Sequence, residues 1–256
     1  MFTKAIVRAP SENFADGLTS VDLGVPDFEK ALVQHKAYCE ALVQCGLELI
    51  ELEPDARYPD STFVEDTAIL TENSAVIMQP GAASRSGEIL SIAKTLAESY
   101  DRLDAVQPPG TIDGGDVCQI ENHFLIGVSD RTNEAGAEQL SKYLKAAGST
   151  SSHVDIRGLD GLLHLKSGIS YIGDNRVLVT DSLASRKELE GFEILDVPEG
   201  EEHAANCIRV NDHVLFPAGF PKLKDKLETL SYNIIALEMS EFQKMDGGLS
   251  CLSLRF

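Results

Sequence analysis

Two cysteines in this chain of 256 residues end closely similar segments. Cys118 ends DGGDVC (113–118), and Cys251 ends DGGLSC (246–251). Paired glycines let a backbone approach a ligand closely or adopt a positive φ angle. A thiolate is a strong nucleophile where a base or a positive field favours it. Either cysteine is therefore a candidate nucleophile for covalent catalysis, and the alternative for each is a buried structural thiol.

Histidine is the side chain best suited to exchange protons with such a cysteine near neutral pH. His164 is flanked by leucines and comes just before a predicted hairpin. By elimination it is the best candidate for a general acid and base, and a hydrogen-bonded core histidine is the alternative. The other histidines are expected to be structural or exposed because they fall on a helix, in polar turns or in loops: His35, His123, His153, His203 and His213.

Acidic side chains cluster around an aromatic ring at the entrance of another predicted hairpin. Asp60, Glu65 and Asp66 lie close to Phe63 in the sequence. Carboxylates bind a guanidinium group bidentately, and a ring can cover its flat face. The cluster therefore suits a planar cation, with an ordinary acidic loop as the alternative.

Two arginines occupy matching places just after the second strand of their hairpins. Arg85 follows PGAAS (80–84), and Arg131 follows a Ser-Asp pair. Together they could clamp one carboxylate group. The alternative is that the two arginines do not act together and that each is a surface or capping residue.

The composition narrows the classes of partner. Asp and Glu outnumber Lys and Arg by 41 to 22, and the formal net charge is −19. Such a surface repels nucleic acid and anionic lipid and attracts small cations. No run approaches the roughly 18 apolar residues of a membrane span, and segment 1–20 lacks a signal core. Five cysteines without a close pair make a disulfide framework or a zinc knuckle improbable and indicate a reducing compartment, so we expect a cytoplasmic protein. No metal-ligand spacing is visible in the sequence.

A unit of strand, polar turn and strand recurs along the chain, usually followed by a helix. The four clearest copies place their strands at 68–70 and 75–78, 117–120 and 124–127, 169–172 and 177–179, and 207–210 and 214–216. The turn residues Asn73, Asn122 and Asn175 are about 50 residues apart, a period typical of propellers.

A fifth unit can be completed only by joining the two ends of the chain. Segment 249–256 would then pair with segment 3–8 and close a ring, as propellers do to avoid exposed edges. The predicted fold is therefore an α/β propeller with five-fold pseudosymmetry, in one domain over residues 1–256. A mixed α/β sandwich with coincidental hairpins is the alternative.

Apolar residues at helical spacing predict three of the connecting helices. One spans Glu88 to Ser99, a second begins after Thr132 as its N-cap, and a third opens at Pro26-Asp27. The apolar stripe of the third helix is predicted as Phe28, Ala31, Leu32, Cys39 and Leu42.

Taken together, these segments resemble the dimethylarginine dimethylaminohydrolase family of guanidino-modifying enzymes, whose fold is a five-module α/β propeller. The similarity covers nearly the whole chain. It rests on long motifs: DGLTS (16–20), PDSTFVED (59–66), PGAASR (80–85), TIDGGD (111–116), RTN (131–133), LHLKS (163–167), AANC (204–207) and DGGLSC (246–251).

The resemblance implies a role for each candidate residue. Cys251 would be the nucleophile, His164 the general acid and base, and Asp113 its carboxylate partner, although some relatives carry a longer Glu there. The implied substrate contacts are Asp66 with Glu65 on the guanidinium, Asp60 and the Leu18 carbonyl on the α-ammonium, Arg85 and Arg131 on the α-carboxylate, and the Met245 backbone along the wall. Leu18 would lie on a mobile lid.

The implied reaction converts a free methylated arginine to citrulline and an alkylamine through a covalent cysteine adduct, without a cofactor. An arginine deiminase-type hydrolase is the nearest alternative, although such enzymes usually carry an extra helical insertion. A non-catalytic binding propeller is the other, but it would have no need of the Cys, His and acid set. No nucleic acid or membrane partner is expected, and the sequence leaves the oligomeric state open, a homodimer included.

Overall fold

Five three-stranded sheets make up the molecule in the computed structural model, which describes residues 1–256. The strands are β1 (Lys4–Arg8), β2 (Glu48–Leu52), β3 (Ala68–Leu70), β4 (Ala75–Ile77), β5 (Leu103–Ala105), β6 (Val117–Ile120), β7 (His123–Val128), β8 (Thr150–Asp155), β9 (Ile169–Gly173), β10 (Arg176–Val179), β11 (Glu193–Asp196), β12 (Ile208–Val210), β13 (His213–Pro217), β14 (Asn233–Leu237) and β15 (Leu254–Arg255). The α-helices are α1 (Phe28–Gln44), α2 (Ile89–Leu96), α3 (Glu134–Ala146), α4 (Pro221–Thr229) and the single turn α5 (Ser240–Gln243).

Each sheet is built in the same way. An antiparallel hairpin supplies two strands, and a third strand runs parallel to the second, as in β6-β7-β8 and β12-β13-β14. A parallel neighbour requires a crossover connection, which explains why a helix usually separates the second and third strands. The four hairpins predicted from the Asn- and Asp-rich turns are all present.

The two ends of the chain form one sheet together. β15 pairs antiparallel with β1, with Ala5 opposite Arg255, and β2 then pairs parallel with β1 after α1. The predicted ring closure is confirmed, although the C-terminal strand is shorter than segment 249–256. α1 begins where the sequence indicates, because the Asp27 side chain accepts the backbone N–H of Lys30 at 2.9 Å.

Two details of the predicted helices are wrong. The N-cap of α3 is Asn133, whose side chain accepts the N–H of Gly136 at 2.8 Å, because the Thr132 hydroxyl is bonded to Asp116 instead. The Glu88 to Ser99 helix is shorter, Ile89–Leu96. In the fourth module, for which no helix is predicted, a short 3-10 turn lies between β10 and β11.

The apolar face of α1 is also rotated from its predicted stripe. Tyr38 and Leu42 are fully buried, whereas Phe28, Leu32 and Cys39 are half-buried.

Apolar residues pack into five clusters, and each joins neighbouring modules. The cluster of Ile69, Ile126 and Leu140, for example, lies between the second and third modules of the chain. Burying one Leu, Ile or Phe side chain contributes about 1.5–3 kcal/mol. The ring is thereby held together through the interfaces between modules, which fixes the loops near its axis.

None of the helices combines the length and the apolar character that a membrane span requires.

Candidate active site

Short 3-10 turns carry the predicted chemical residues to one end of the ring. The turns precede the first strands of successive modules. Asp66 and Cys251 lie within their turns, and Asp113 and His164 each come directly before theirs. Eight of the ten predicted site residues line one small pocket: Leu18, Asp60, Asp66, Arg85, Arg131, His164, Met245 and Cys251. Phe63, Leu163, Asp246 and Gly247 complete its wall.

His164 is held by the carboxylate that the sequence pairs with it. Its Nε2 lies 3.1 Å from Oδ2 of Asp113, which is completely buried, and Asp113 Oδ1 accepts the backbone N–H of Gly81 at 2.8 Å. The shorter aspartate therefore reaches the imidazole. Burial alone would lower the pKa of His164, but the carboxylates of Asp66, Asp113 and Asp116 raise it to about 9. His164 is thus an imidazolium at neutral pH and can donate a proton to a leaving group.

Asp66 presents a fixed anion to the same pocket. Its Oδ2 lies 2.6 Å from Nη1 of Arg85, and its Oδ1 accepts the N–H of Gly115 at 2.8 Å. Burial would raise the pKa of Asp66, but His164 and Arg85 lower it to about 2, so the side chain stays charged. A Cβ atom at Gly115 would lie 2.8 Å from Asp66 Oδ1 and from His164 Nδ1, which explains the glycine.

Cys251 lies in the turn Ser250–Leu252 directly before β15. Its Sγ accepts the backbone N–H of Gly248 at 3.4 Å. Burial, followed by the charges of Glu65 and Asp66, raises the pKa of the thiol to about 12. The free protein therefore holds a neutral thiol, and a cation bound against Asp66 would favour the thiolate.

Alkylation of Cys251 by iodoacetamide tests this assignment in the free protein. The rate constant should rise about tenfold per pH unit from pH 6 to 9, because only the thiolate reacts and the pH stays below the thiol pKa. Mass spectrometry of the Cys251 peptide gives the rate, with the Cys251→Ser variant as the background. A plateau near neutral pH would show that His164 and Cys251 form an ion pair without substrate.

Cys118, the competing candidate, is not in this pocket. It is 3% exposed in β6, and it lines a separate cavity of about 380 Å³. Burial raises the pKa of the Cys118 thiol to about 11. The structure thus separates two cysteines that the sequence presents in nearly the same setting.

The two predicted arginines differ in their environments. Arg85 is buried, and it donates to Glu88, Asp66 and the backbone carbonyl of Phe63. Its main role in the unliganded pocket is therefore to orient Asp66. Arg131 makes a hydrogen bond only through its backbone N–H, so its guanidinium, which lines the pocket, is free to donate to an external carboxylate.

The loop that carries Leu18 closes the pocket from above. The N–H of Leu18 donates to Asp60 at 3.0 Å, and the Thr19 hydroxyl donates to the Lys244 carbonyl at 3.0 Å. Ser20 donates its N–H and hydroxyl to Asp246, at 2.5 and 3.1 Å. The pocket has a volume of about 30 Å³, room for about two waters, and the role of this loop as a lid stays a prediction.

Two predicted site residues do not line the pocket: Asp113, which reaches it through its hydrogen bond to His164, and Glu65. Its carboxylate accepts the Lys166 ammonium at 2.6 Å and the Ser250 hydroxyl at 2.7 Å. It lines the 380 Å³ cavity instead. Adjacent residues of a tight turn point in different directions, so Asp66 lines the pocket while Glu65 faces Lys166 and Ser250. Glu65 fixes the residue before Cys251.

Ligand atoms of Asp66, Asp113 and His164 all lie within 4.8 Å of one another, a spacing that a metal ion could bridge. The pairing of Asp113 with His164 and of Asp66 with Arg85 favours acid-base chemistry, because a metal ion would have to break both of these contacts.

Sequence reasoning missed two features of this end of the ring. Asp246 was noted only for its neighbouring glycines, and His203, expected to be exposed, is half-buried, so its pKa falls to about 4.

Comparisons with known proteins show the family to which the chain belongs. The family model described as arginine deiminase matches residues 58–215. An N(G),N(G)-dimethylarginine dimethylaminohydrolase of Pseudomonas aeruginosa is 44% identical over 100% of both chains. The chain belongs to the dimethylarginine dimethylaminohydrolase family.

Solved structures of this family superpose closely on the chain. A cysteine-to-serine mutant of the P. aeruginosa protein complexed with citrulline has a TM-score of 0.97 and 43% identity, covering 100% of each chain. A dimethylarginine dimethylaminohydrolase with a histidine-to-glycine change, as an adduct with S-methyl-L-thiocitrulline, gives the same TM-score, identity and coverage. The five-module fold predicted from the repeat is that of the family.

Proposed function

We propose that this protein hydrolyses Nω-methylated L-arginine to L-citrulline and an alkylamine, with Cys251 as the nucleophile. The observation that carries the proposal is the convergence of Cys251, Asp66 and His164 on one pocket, with Asp113 supporting the histidine. Identity of 44% over the full length to a dimethylarginine dimethylaminohydrolase supports the substrate class.

The reaction proceeds in two halves. The guanidinium of the substrate lies against Asp66, and its positive charge favours loss of the Cys251 thiol proton to solvent. The thiolate attacks the guanidinium carbon, and the His164 imidazolium donates a proton to the departing dimethylamine nitrogen. The C–N bond breaks, and an S-alkylthiouronium remains on Cys251.

Hydrolysis of this adduct reverses the direction of proton transfer. His164, now neutral, takes a proton from water, and the resulting hydroxide attacks the same carbon. The carbon–sulfur bond then breaks and the proton of the new hydroxyl passes to the departing sulfur, which releases citrulline and restores the Cys251 thiol and the His164 imidazolium. Because Nε2 of His164 is held by Asp113, Nδ1 is the nitrogen available to the substrate.

The amino-acid end of the substrate is bound near the lid. Asp60 and the Leu18 carbonyl take the α-ammonium, and Arg131 takes the α-carboxylate. Arg85 contributes mainly by holding Asp66. Met245 lines the same pocket, and we assign its backbone to the wall beside the substrate.

Arg131→Ala should raise KM for dimethylarginine about 10- to 100-fold with little change in kcat, because a charge-assisted hydrogen bond distant from the reacting carbon is lost. Steady-state kinetics with a methylated agmatine, which lacks the carboxylate, provides the control. That substrate should lose little on the same substitution. Equal losses with both substrates would place Arg131 outside the carboxylate site.

The function itself is tested by incubating the protein with asymmetric dimethylarginine and, separately, with arginine. Citrulline and dimethylamine in equal amounts from the methylated substrate alone would support the proposal. Ammonia released from arginine would make the protein a deiminase, and no product from either would favour a binding propeller.

We also propose a cytoplasmic location, since all five cysteines are free thiols. Light scattering after gel filtration would decide whether the protein is a homodimer.

A further inference from the structure

Buried side-chain oxygens join neighbouring modules at equivalent places around the ring. Each accepts a backbone N–H of the next module: Asp66 from Gly115 (2.8 Å), Asp116 from Leu165 (2.9 Å) and Asn206 from Ser250 (2.9 Å). Asp116 is thus the counterpart of Asp66 one module later, but it does not line the pocket. Its carboxylate is completely buried and serves another purpose.

The second oxygen of Asp116 binds two hydroxyl groups. Ser129 Oγ and Thr132 Oγ1 each lie 2.6 Å from Oδ2. The Ser129 hydroxyl also accepts the backbone N–H of Arg131 at 3.0 Å, and the Thr132 hydroxyl accepts the backbone N–H of Asp113 at 3.2 Å. Asp116 is therefore bonded, directly or through one hydroxyl, to the segments that carry Arg131 and Asp113.

The directions of these hydrogen bonds are fixed. Each hydroxyl has one proton and already accepts from the backbone, so both protons point to Asp116. With the Leu165 N–H, the side chain receives three donors. A carboxylate can accept all three, whereas an amide offers one oxygen and adds two donors of its own. Asparagine of the same size therefore cannot preserve the arrangement.

The third segment tied to Asp116 carries His164, the residue directly before Leu165. We propose that Asp116 is a positioning residue that holds His164, Asp113 and Arg131 in register, so that the proton-transfer pair and the carboxylate site keep their relative places. This inference rests on the proposed function for its kinetic consequences, but its structural part stands on the hydrogen bonds alone.

Charge gives the proposal a second observable. The carboxylates facing His164 are Asp66, Asp113 and Asp116, and together they raise its pKa to about 9 against the effect of burial. Removing the charge of Asp116 should therefore lower the pKa of His164. Burial also raises the pKa of Asp116, while His164 and the hydroxyl groups oppose that shift.

The test compares Asp116→Asn with Thr132→Val and Thr132→Ser in the full chain. Asp116→Asn should lower kcat about 100-fold on dimethylarginine, since small displacements of catalytic groups have effects of that size. Thr132→Val should lower it about tenfold, and Thr132→Ser, which keeps the hydroxyl, should restore most of the loss. Thermal unfolding reports whether each variant is folded.

Glu201→Gln is the matched control, because Glu201 is a buried carboxylate that accepts the backbone N–H groups of Lys222 and Leu223 far along the chain from the site. It should lower the melting temperature and leave the pKa of His164 unchanged. NMR titration of the His164 ring from pH 6 to 10 measures that pKa without any substrate, and His164→Gly identifies the signal.

A lower His164 midpoint in Asp116→Asn, together with the loss in kcat, is the expected result. The proposal is overturned if the midpoint matches wild type, or if Thr132→Ser is no better than Thr132→Val. If wild type forms no citrulline but the midpoint still moves, the proposed function fails and the positioning role of Asp116 stands.

Discussion

Replacing Cys251 by serine should lower citrulline formation at least about 1000-fold, whereas replacing Cys118 by serine should leave most of it. Serine keeps the size of the side chain but is a far weaker nucleophile than a thiolate, and the pocket holds no other cysteine. Cys118 lies in β6, outside the pocket, so its substitution affects packing alone. The measurement is kcat for dimethylarginine with both purified variants.

Thermal unfolding of both variants separates catalysis from stability. Cys118→Ser places a hydroxyl in an apolar setting and should cost about 1–3 kcal/mol of unfolding free energy. Cys251→Ser should bind dimethylarginine and citrulline with affinities near those of wild type, because the charged contacts remain. Equal loss of activity in the two variants would contradict the assignment of Cys251.

Replacing His164 by glycine should separate the two halves of the reaction. S-Methyl-L-thiocitrulline carries a leaving group that needs less protonation than dimethylamine, so the adduct on Cys251 should still form slowly. Its hydrolysis should stop, because no group remains to take the proton from water. A related dimethylarginine dimethylaminohydrolase with a histidine-to-glycine change has been crystallised as an adduct with this compound.

Intact-protein mass spectrometry of His164→Gly tests this directly. The mass should increase by one S-methyl-L-thiocitrulline less one methanethiol, in a single addition that persists for hours. The double variant with Cys251→Ser is the control and should show no addition. An adduct that turns over at the wild-type rate would remove His164 from the hydrolytic step.

The sequence predicts the fold well because each repeated unit can be recognised from short-range sequence patterns. Hairpin turns with Asn or Asp between β-branched runs are short-range features, and four of them repeated at a regular interval indicate a ring. The pairing of β15 with β1 is a contact across the whole chain, yet it follows from the need to complete the fifth module. Thr132 was mistaken for a helix cap because the sequence does not show that its hydroxyl is bonded to Asp116, a residue in an earlier segment that lies beside it in space.

The candidate site was predicted less completely. Motifs identify residue types, but the direction of a side chain in a 3-10 turn depends on packing. Glu65 and Asp66 are adjacent and equally acidic, yet one binds Lys166 and Ser250 and the other faces the pocket. Arg85 and Arg131 occupy matching positions, but the neighbouring Glu88, unremarkable in the sequence, engages Arg85.

The central claim is that the guanidinium carbon of a methylarginine passes through Cys251 on its way to citrulline. A single-turnover experiment tests it most directly: wild-type protein in excess over dimethylarginine labelled at that carbon, quenched in acid at successive times and mapped by peptide. The account predicts that label appears first on the peptide that contains Cys251 and then in citrulline. Dimethylamine should be released at the same rate as the Cys251 peptide becomes labelled. Label that passes to citrulline while the Cys251 peptide stays at the level of the Cys251→Ser control would contradict it.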